Sequence, residues 1–123
     1  MPDTILVMAG GAIGAALRFH IGRWIGAAAG TSWPAGTLTV NLIGGLLMGV
    51  LAGYLHKRGL AEGWRLFFGV GLLGGFTTFS AFSLEMMDLI QQGRWMGSAA
   101  YAGMSVAGSV AMLALGLYAV RGA

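Results

Sequence analysis

The chain has 123 residues, of which 57% are hydrophobic and 9% are charged, and its mean hydropathy is +0.78. A soluble domain carries roughly 25% charged residues, so this composition leaves too little polar surface to face water and predicts an integral membrane protein. The absence of cysteine excludes disulfides and thiolate metal sites. The seven basic residues are scattered rather than clustered, so the net charge of +3 gives no indication of nucleic-acid binding.

The first apolar stretch runs from Thr4 to Ala29 and exceeds the roughly 20 residues that a membrane helix needs. Arg18 is the most deeply placed charge in any predicted helix. Such a residue commonly faces a cavity or a partner; the alternative is that it extends to the interface, as we expect of Arg23. The acid in Met1–Asp3 stands where a signal peptide has its basic region, so we expect no cleaved leader.

Three further apolar stretches bring the predicted number of crossings to four. All four are expected in one all-α domain covering 1–123, with helices at about 4–29, 34–55, 66–90 and 95–120. Tryptophans favour the membrane interface, and four of them lie near the predicted helix ends: Trp24, Trp33, Trp64 and Trp95.

The third stretch is interrupted by Gly74–Ser83, which combines two glycines, four hydroxyls and three aromatic rings. We expect a first half-helix to end at Gly74–Gly75, because glycine commonly follows a helix C-terminus, and Thr77 or Thr78 to cap the second half. The break is therefore predicted near 74–78. Its carbonyl end favours a cation and its N–H end an anion. A kink that is only packed and capped is the alternative.

Several polar and aromatic residues could line an ion path. Phe79 and Phe82 share one helical face, and their positive ring edges favour a small anion; contact with lipid or core is the alternative. Hydrogen-bond donors recur on the fourth helix at Ser98, Tyr101, Ser105 and Ser109, and Asn41 adds an amide on the second. Each hydroxyl alone could instead bond a neighbouring helix. Glu85 either pairs with a basic residue or marks the water boundary.

The Lys and Arg count gives almost no orientation bias. One side holds Lys57, Arg58, Arg65 and Arg121, and the other holds Arg18, Arg23 and Arg94. Topology follows this bias, so we expect insertion in both orientations. If the arginines within helix 1 are discounted, a weak preference for cytoplasmic termini remains. Four short helices can hardly enclose a pore, and an antiparallel two-fold dimer is the simplest closed assembly. Small residues four apart, as at Gly10/Gly14 and Gly45/Gly49, allow close helix packing.

The chain resembles the Fluc (CrcB) family of bacterial fluoride channels almost end to end. The resemblance rests on Gly10–Phe19, on Gly36–Asn41 and above all on Gly74–Ser83. It implies an antiparallel homodimer in the bacterial inner membrane, in contact with lipid, that passes fluoride by passive electrodiffusion. Ala81 departs from the threonine often found in the family motif, which removes one hydroxyl beside the path.

The resemblance also assigns roles by position. Phe79 and Phe82 correspond to the pore phenylalanines and Asn41 to the pore asparagine. Gly74 and Thr77 correspond to backbone carbonyls that hold a structural Na⁺ at the dimer centre. The remaining matches are Thr78, Tyr101, Ser105 and Ser109 in the polar track, Arg18 in the first helix, and Glu85 at the acidic end of the motif.

Other classes fit the sequence less well. A small proton-coupled exporter needs a carboxylate in mid-membrane, and the first helix has none before Arg18. A membrane enzyme lacks a nucleophile–base or metal constellation. A structural subunit is opposed only by the specific motif at Gly74–Ser83.

Overall fold

The computed structural model describes residues 2–30, 34–59 and 61–122. Within these ranges it contains four helices long and apolar enough to cross a membrane: span 1 Pro2–Ala29, span 2 Ala35–Lys57, span 3 Glu62–Gln91 and span 4 Trp95–Gly122. The predicted all-α class and the four crossings are confirmed. The largest difference in a boundary is at span 3, which begins four residues earlier than the predicted 66. Trp33 lies outside the described residues.

Span 3 is irregular along its length. It begins as the α-helix Glu62–Arg65, continues as the π-helix Leu66–Leu73, returns to α at Gly74–Phe76 and resumes as the α-helix Ser80–Gln91. Between the last two pieces lie residues 77–79, and Thr77 has the extended conformation φ −88°, ψ 158°. We call residues 77–79 the bend; it lies in the middle of span 3.

The prediction that the first half-helix ends at Gly74–Gly75 is wrong. Gly74 is helical, with φ −63° and ψ −39°, and the helix continues to Phe76. The glycine at position 75 serves close packing instead, because a Cβ there would lie 2.5 Å from the Gly11 carbonyl oxygen of span 1. Glycine at a helix end and glycine at a helix contact look alike in a sequence, and here the contact determines the structure.

Glycines bring the backbones of paired spans into contact. A Cβ on Gly10 or Gly14 would overlap the backbone of span 3, and one on Gly49 would overlap the Leu113 carbonyl of span 4. Spans 1 and 3 therefore form one tight pair, and spans 2 and 4 form another. In contrast, a Cβ on Gly26 or Gly103 would meet nothing within 4 Å. The predicted close packing at Gly10/Gly14 and Gly45/Gly49 is thus found within one subunit.

The buried core is small and lies beside the bend. It consists of Leu38, Val40, Leu73, Phe76, Phe82, Leu89 and Tyr101. Four of these, Leu38, Phe82, Leu89 and Tyr101, pack as one cluster. Large apolar side chains on the outside remain exposed, including Met96 at 84% and Trp24 at 74%. Apolar side chains on the outside suit a chain whose outer face contacts acyl chains rather than water.

Candidate functional site

The bend redirects backbone amides away from their helical partners. In a continuous α-helix each carbonyl accepts from the amide four residues later. Here the Thr78 amide donates to Asn41 Oδ1 at 3.1 Å instead of to the Gly74 carbonyl. The Ala81 amide donates to Thr78 Oγ1 at 3.2 Å instead of to the Thr77 carbonyl. The Gly74 and Thr77 carbonyls therefore lose the donors that a continuous helix would give them.

Neighbouring spans cover two other carbonyls, one just before the bend and one within it. Arg18 Nε of span 1 donates to the Gly75 carbonyl at 3.2 Å. Asn41 Nδ2 of span 2 donates to the Thr78 carbonyl at 3.1 Å. Because an unpaired buried carbonyl is costly, these two side chains stabilise the non-helical backbone.

Asn41 forms a reciprocal pair with one residue of the bend. Its Oδ1 accepts from the Thr78 amide and its Nδ2 donates to the Thr78 carbonyl, both at 3.1 Å. An asparagine amide carries two N–H donors, so one N–H group is not used in this pair. Asn41 also contributes to the wall of a cavity.

Most of the predicted site residues line one cavity of about 490 Å³, which we call the larger cavity. Its wall comes from spans 2, 3 and 4, and its polar and aromatic members are Asn41, Thr77, Thr78, Phe79, Phe82, Ser105 and Ser109; Gly44 and Gly74 also line it. The structure thus brings together residues that lie 68 positions apart in the chain.

Phe79, at the end of the bend, and Phe82, three residues later, differ in burial. Phe82 is 9% exposed, whereas Phe79 is 77% exposed within the single subunit. Their ring centroids are 5.6 Å apart with an interplanar angle of 46°. The Phe82 ring in turn lies 5.1 Å from that of Tyr101. The rings form a continuous aromatic row from the core to the open side of the larger cavity.

The hydroxyls of span 4 do not act as one uniform stripe. Ser98 Oγ donates to the Met86 carbonyl at 3.2 Å, and Tyr101 donates to Glu85 Oε1 at 3.1 Å. Ser105 is 6% exposed, and its buried Oγ has no hydrogen-bond partner among the described residues. A buried hydroxyl without a partner is costly, so Ser105 is the member with an unused hydrogen-bond donor at the larger cavity.

A second cavity of about 300 Å³ lies beside span 1, and we call it the smaller cavity. Arg18, Thr37 and Thr78 line it, and Glu85 faces it from span 3. The predicted position of Arg18 beside a cavity is therefore found. Glu85 accepts a hydrogen bond from Tyr101, a partner that neither of the alternatives from the sequence included.

Gly44 is a site residue that the sequence analysis did not single out. It lines the larger cavity, and a Cβ there would overlap the Thr77 methyl group. Its spacing of three residues from Asn41 places both on one face of span 2. That spacing was the available signal, but it was hidden among the many glycines of the chain.

One family of known proteins matches most of this chain. The family model described as CrcB-like protein, Camphor Resistance (CrcB), matches residues 5–117. The chain belongs to the CrcB family. The predicted family is confirmed, and membership together with the four spans identifies a multi-pass membrane protein and not an enzyme.

Relatives in the CrcB family match the chain over nearly its whole length. A protein of Novosphingobium aromaticivorans is 53% identical, over 99% of this chain and 98% of its own. One from Erythrobacter litoralis is 48% identical, over 96% and 91%, and one from Caulobacter vibrioides is 46% identical, over 98% and 97%. All three are named fluoride-specific ion channel FluC.

Proposed function

We propose that this protein is a fluoride-selective channel that passes F⁻ across the bacterial inner membrane by passive electrodiffusion. The observation that carries the proposal is the larger cavity, in which the Phe79 and Phe82 rings lie with the buried, unpartnered hydroxyl of Ser105. Relatives that match nearly the whole chain are named fluoride-specific ion channels. Fluoride that enters a cell as HF dissociates inside, so a passive anion path is enough to lower its cytoplasmic level.

The larger cavity offers hydrogen-bond donors to an anion. The Ser105 hydroxyl and the second N–H of Asn41 can donate to F⁻, and the positive ring edges of Phe79 and Phe82 add weaker attraction. Fluoride is costly to dehydrate, so several donors must replace its water. Ser109 and the Thr78 hydroxyl supply further polar groups in the same wall.

Arg18 and Glu85 act at the smaller cavity in this proposal, and Tyr101 is bonded to Glu85. Arg18 places a positive charge beside the bend and attracts the anion toward it. Glu85 orients the Tyr101 hydroxyl through their 3.1 Å hydrogen bond. The Tyr101 ring then stays packed against Phe82, which keeps the aromatic row in register.

The proposed assembly is an antiparallel homodimer with span 3 interrupted within the membrane. Phe79 is 77% exposed at the open side of the larger cavity in the single subunit, and a second copy would cover it. The nearly even distribution of basic residues favours insertion of copies in both orientations. Two opposite copies then form a closed two-fold dimer.

A structural Na⁺ fits the bend. The Gly74 and Thr77 carbonyls lack their helical donors. The Thr78 amide donates to Asn41 Oδ1 instead, and the Ala81 amide donates to Thr78 Oγ1. Among the described residues no group of three or more His, Cys, Asp or Glu could hold a metal ion, so a cation here would depend on carbonyl oxygens. When bound, Na⁺ would supply positive charge at the dimer centre, with Gly74 and Thr77 holding it.

Fluoride efflux from liposomes tests the proposed function. Vesicles reconstituted with the purified protein and loaded with fluoride should release it without a proton gradient, while vesicles loaded with chloride should retain it. Equal release of the two anions would remove the selectivity, and no release above that of protein-free vesicles would remove the channel. Release that requires an imposed proton gradient would indicate coupled transport instead.

A further inference from the structure

One face of span 2 holds the bend of span 3 at two adjacent points. Asn41 makes its reciprocal hydrogen bonds to the Thr78 backbone, both at 3.1 Å. One turn later, Gly44 meets the preceding residue, Thr77. The two contacts are therefore made by consecutive turns of one helix to consecutive residues of the bend.

The Gly44 contact leaves no room for a side chain. An ideal Cβ on Gly44 would overlap Thr77 Cγ2 and would lie 3.5 Å from Cδ2 of Phe76. Gly44 is buried and helical, a position where alanine would otherwise favour the helix. Glycine here is explained by the Thr77 methyl group that packs against it.

Thr77 cannot turn its methyl group away from a larger neighbour and keep its own side-chain hydrogen bond. Its Oγ1 donates to the Leu73 carbonyl at 2.9 Å while its methyl group faces Gly44. The three substituents of a threonine Cβ occupy three staggered positions, so any rotation that moves the methyl group also moves Oγ1 away from Leu73. A Cβ at position 44 must therefore either break that hydrogen bond or push the Thr77 backbone.

We propose that Gly44 is a positioning residue and that, with Asn41, it forms a two-point clamp that fixes the extended Thr77–Thr78 backbone. The clamp sets where the Thr77 carbonyl points and where the next residue, Phe79, presents its ring. This inference rests on the proposed channel function for its effect on flux, but the clamp itself is a property of the backbone. Gly44 touches no ion in this account and acts through Thr77.

The test compares a variant that introduces a steric clash with a double variant that removes it. Gly44→Ala should reduce fluoride efflux by about 10- to 100-fold, the scale on which a displacement of about 1 Å affects an aligned site. Thr77→Ser removes the methyl group and keeps both Oγ1 and the backbone carbonyl, and its own efflux rate is the reference for the double variant. The double variant Gly44→Ala/Thr77→Ser should recover most of the efflux of Thr77→Ser, because the atom that the new Cβ meets is gone.

Two matched controls isolate the clamp from general effects on helices. Gly103→Ala adds the same methyl group where nothing lies within 4 Å, and it should leave efflux unchanged. Thr39→Val removes a hydrogen bond that stays within span 2, from Oγ1 to the Ala35 carbonyl, and should not affect the bend.

Amide hydrogen exchange separates failure of the clamp from failure of the proposed function. The Thr78 amide, bonded to Asn41 Oδ1, should exchange faster in Gly44→Ala and in Asn41→Ala, and at nearly the wild-type rate in Gly44→Ala/Thr77→Ser. Wild-type exchange and efflux in Gly44→Ala would overturn the clamp. Failure of the double variant to recover efflux would also overturn it, including the case in which the single variant Gly44→Ala and the double variant both fail to fold. A wild-type protein without fluoride efflux but with this exchange pattern would remove the channel function and leave the clamp standing.

Discussion

The hydroxyls of span 4 differ in whether their hydrogen bonds are complete. Ser98 and Tyr101 are satisfied by Met86 and Glu85 of span 3, so they hold two spans together. Ser105 is equally buried but has no partner among the described residues. Structural and functional roles can therefore be assigned to individual hydroxyls rather than to the stripe.

Ser105→Ala and Ser98→Ala should have opposite effects. Removing the unpartnered Ser105 hydroxyl should leave the free energy of unfolding unchanged or slightly higher but lower the fluoride efflux rate. Removing the Ser98 hydroxyl breaks its bond to Met86 and should cost about 1 kcal/mol of stability. Denaturant unfolding in detergent and liposome efflux measure the two quantities. Loss of stability in Ser105→Ala with unchanged efflux would assign Ser105 to packing.

Phe82→Ile should lower fluoride efflux by about 10-fold or more while the assembled state on size exclusion stays that of wild type. Isoleucine keeps an apolar side chain of similar bulk but removes the positive ring edge. Phe68→Ile is the matched control, since Phe68 also belongs to span 3 but is 39% exposed in the π-helix and does not line the larger cavity. An equal loss in both variants would place the effect in packing and not in the ring.

The sequence predicted Asn41, Phe79 and Phe82 as site residues, because an amide within a span needs a partner and the two rings share one helical face. It could not identify the partner of Asn41, because Thr78 is 37 residues away and the bond depends on how spans 2 and 3 pack. It passed over Gly44 for the same reason. The chemistry of a side chain can be read locally, whereas its hydrogen-bond partner belongs to the tertiary structure.

Helices form close pairs in this protein where glycine lies on both contact faces. Span 1 meets span 3 through Gly10 and Gly71, where a Cβ on either residue would lie 3.1 Å from the Cα of the other. The sequence showed the recurring small residues but not the partner of each set. The predicted end of the first half-helix is one or two residues too early, because Gly75 packs against Gly11 and the helix continues to Phe76. The π-helix Leu66–Leu73 has no pattern of apolar residues that would separate it from an α-helix.

Gly75→Ala should destabilise the fold by about 1–3 kcal/mol, the usual cost of inserting a methyl group into a filled contact. The added Cβ would lie 2.5 Å from the Gly11 carbonyl oxygen and 3.0 Å from Gly11 Cα. Gly26→Ala is the control, since nothing lies within 4 Å of its Cβ position, and alanine there should be neutral or stabilising. Equilibrium unfolding in mixed detergent compares the two, and equal stabilities would contradict the glycine contact.

The whole chain carries its basic residues almost evenly on the two sides of the four spans. The number of spans could be predicted from the sequence, because a run of about 20 apolar residues is typical of a membrane helix. The assembly could only be proposed, since it depends on a second copy whose contacts the single chain does not contain. The exposed Phe79 and the open larger cavity are the features on which the proposed second copy rests.

Small changes in charge should fix the orientation of the chain and thereby remove its activity. Gln91→Lys/Gln92→Lys adds two positive charges to one side, and His56→Lys/Ala61→Lys adds two to the other; all four positions are exposed. Each variant should insert in a single orientation, which compartment-specific C-terminal tags would report. Cells expressing either variant alone should lose fluoride resistance, and cells expressing both should regain it. Full resistance from one oriented variant would rule out the antiparallel dimer.

The π-helix upstream of the bend has a consequence at the level of the gene. Deleting one codon within 66–73 would let the backbone tighten into an α-helix, because the wider turns of a π-helix hold about one residue more than the same length of α-helix. Phe79 and Phe82 would then keep nearly their present faces. The same deletion within Gly74–Phe76, which is already α-helical, would turn both rings by about 100°. Fluoride transport should therefore survive the first deletion better than the second.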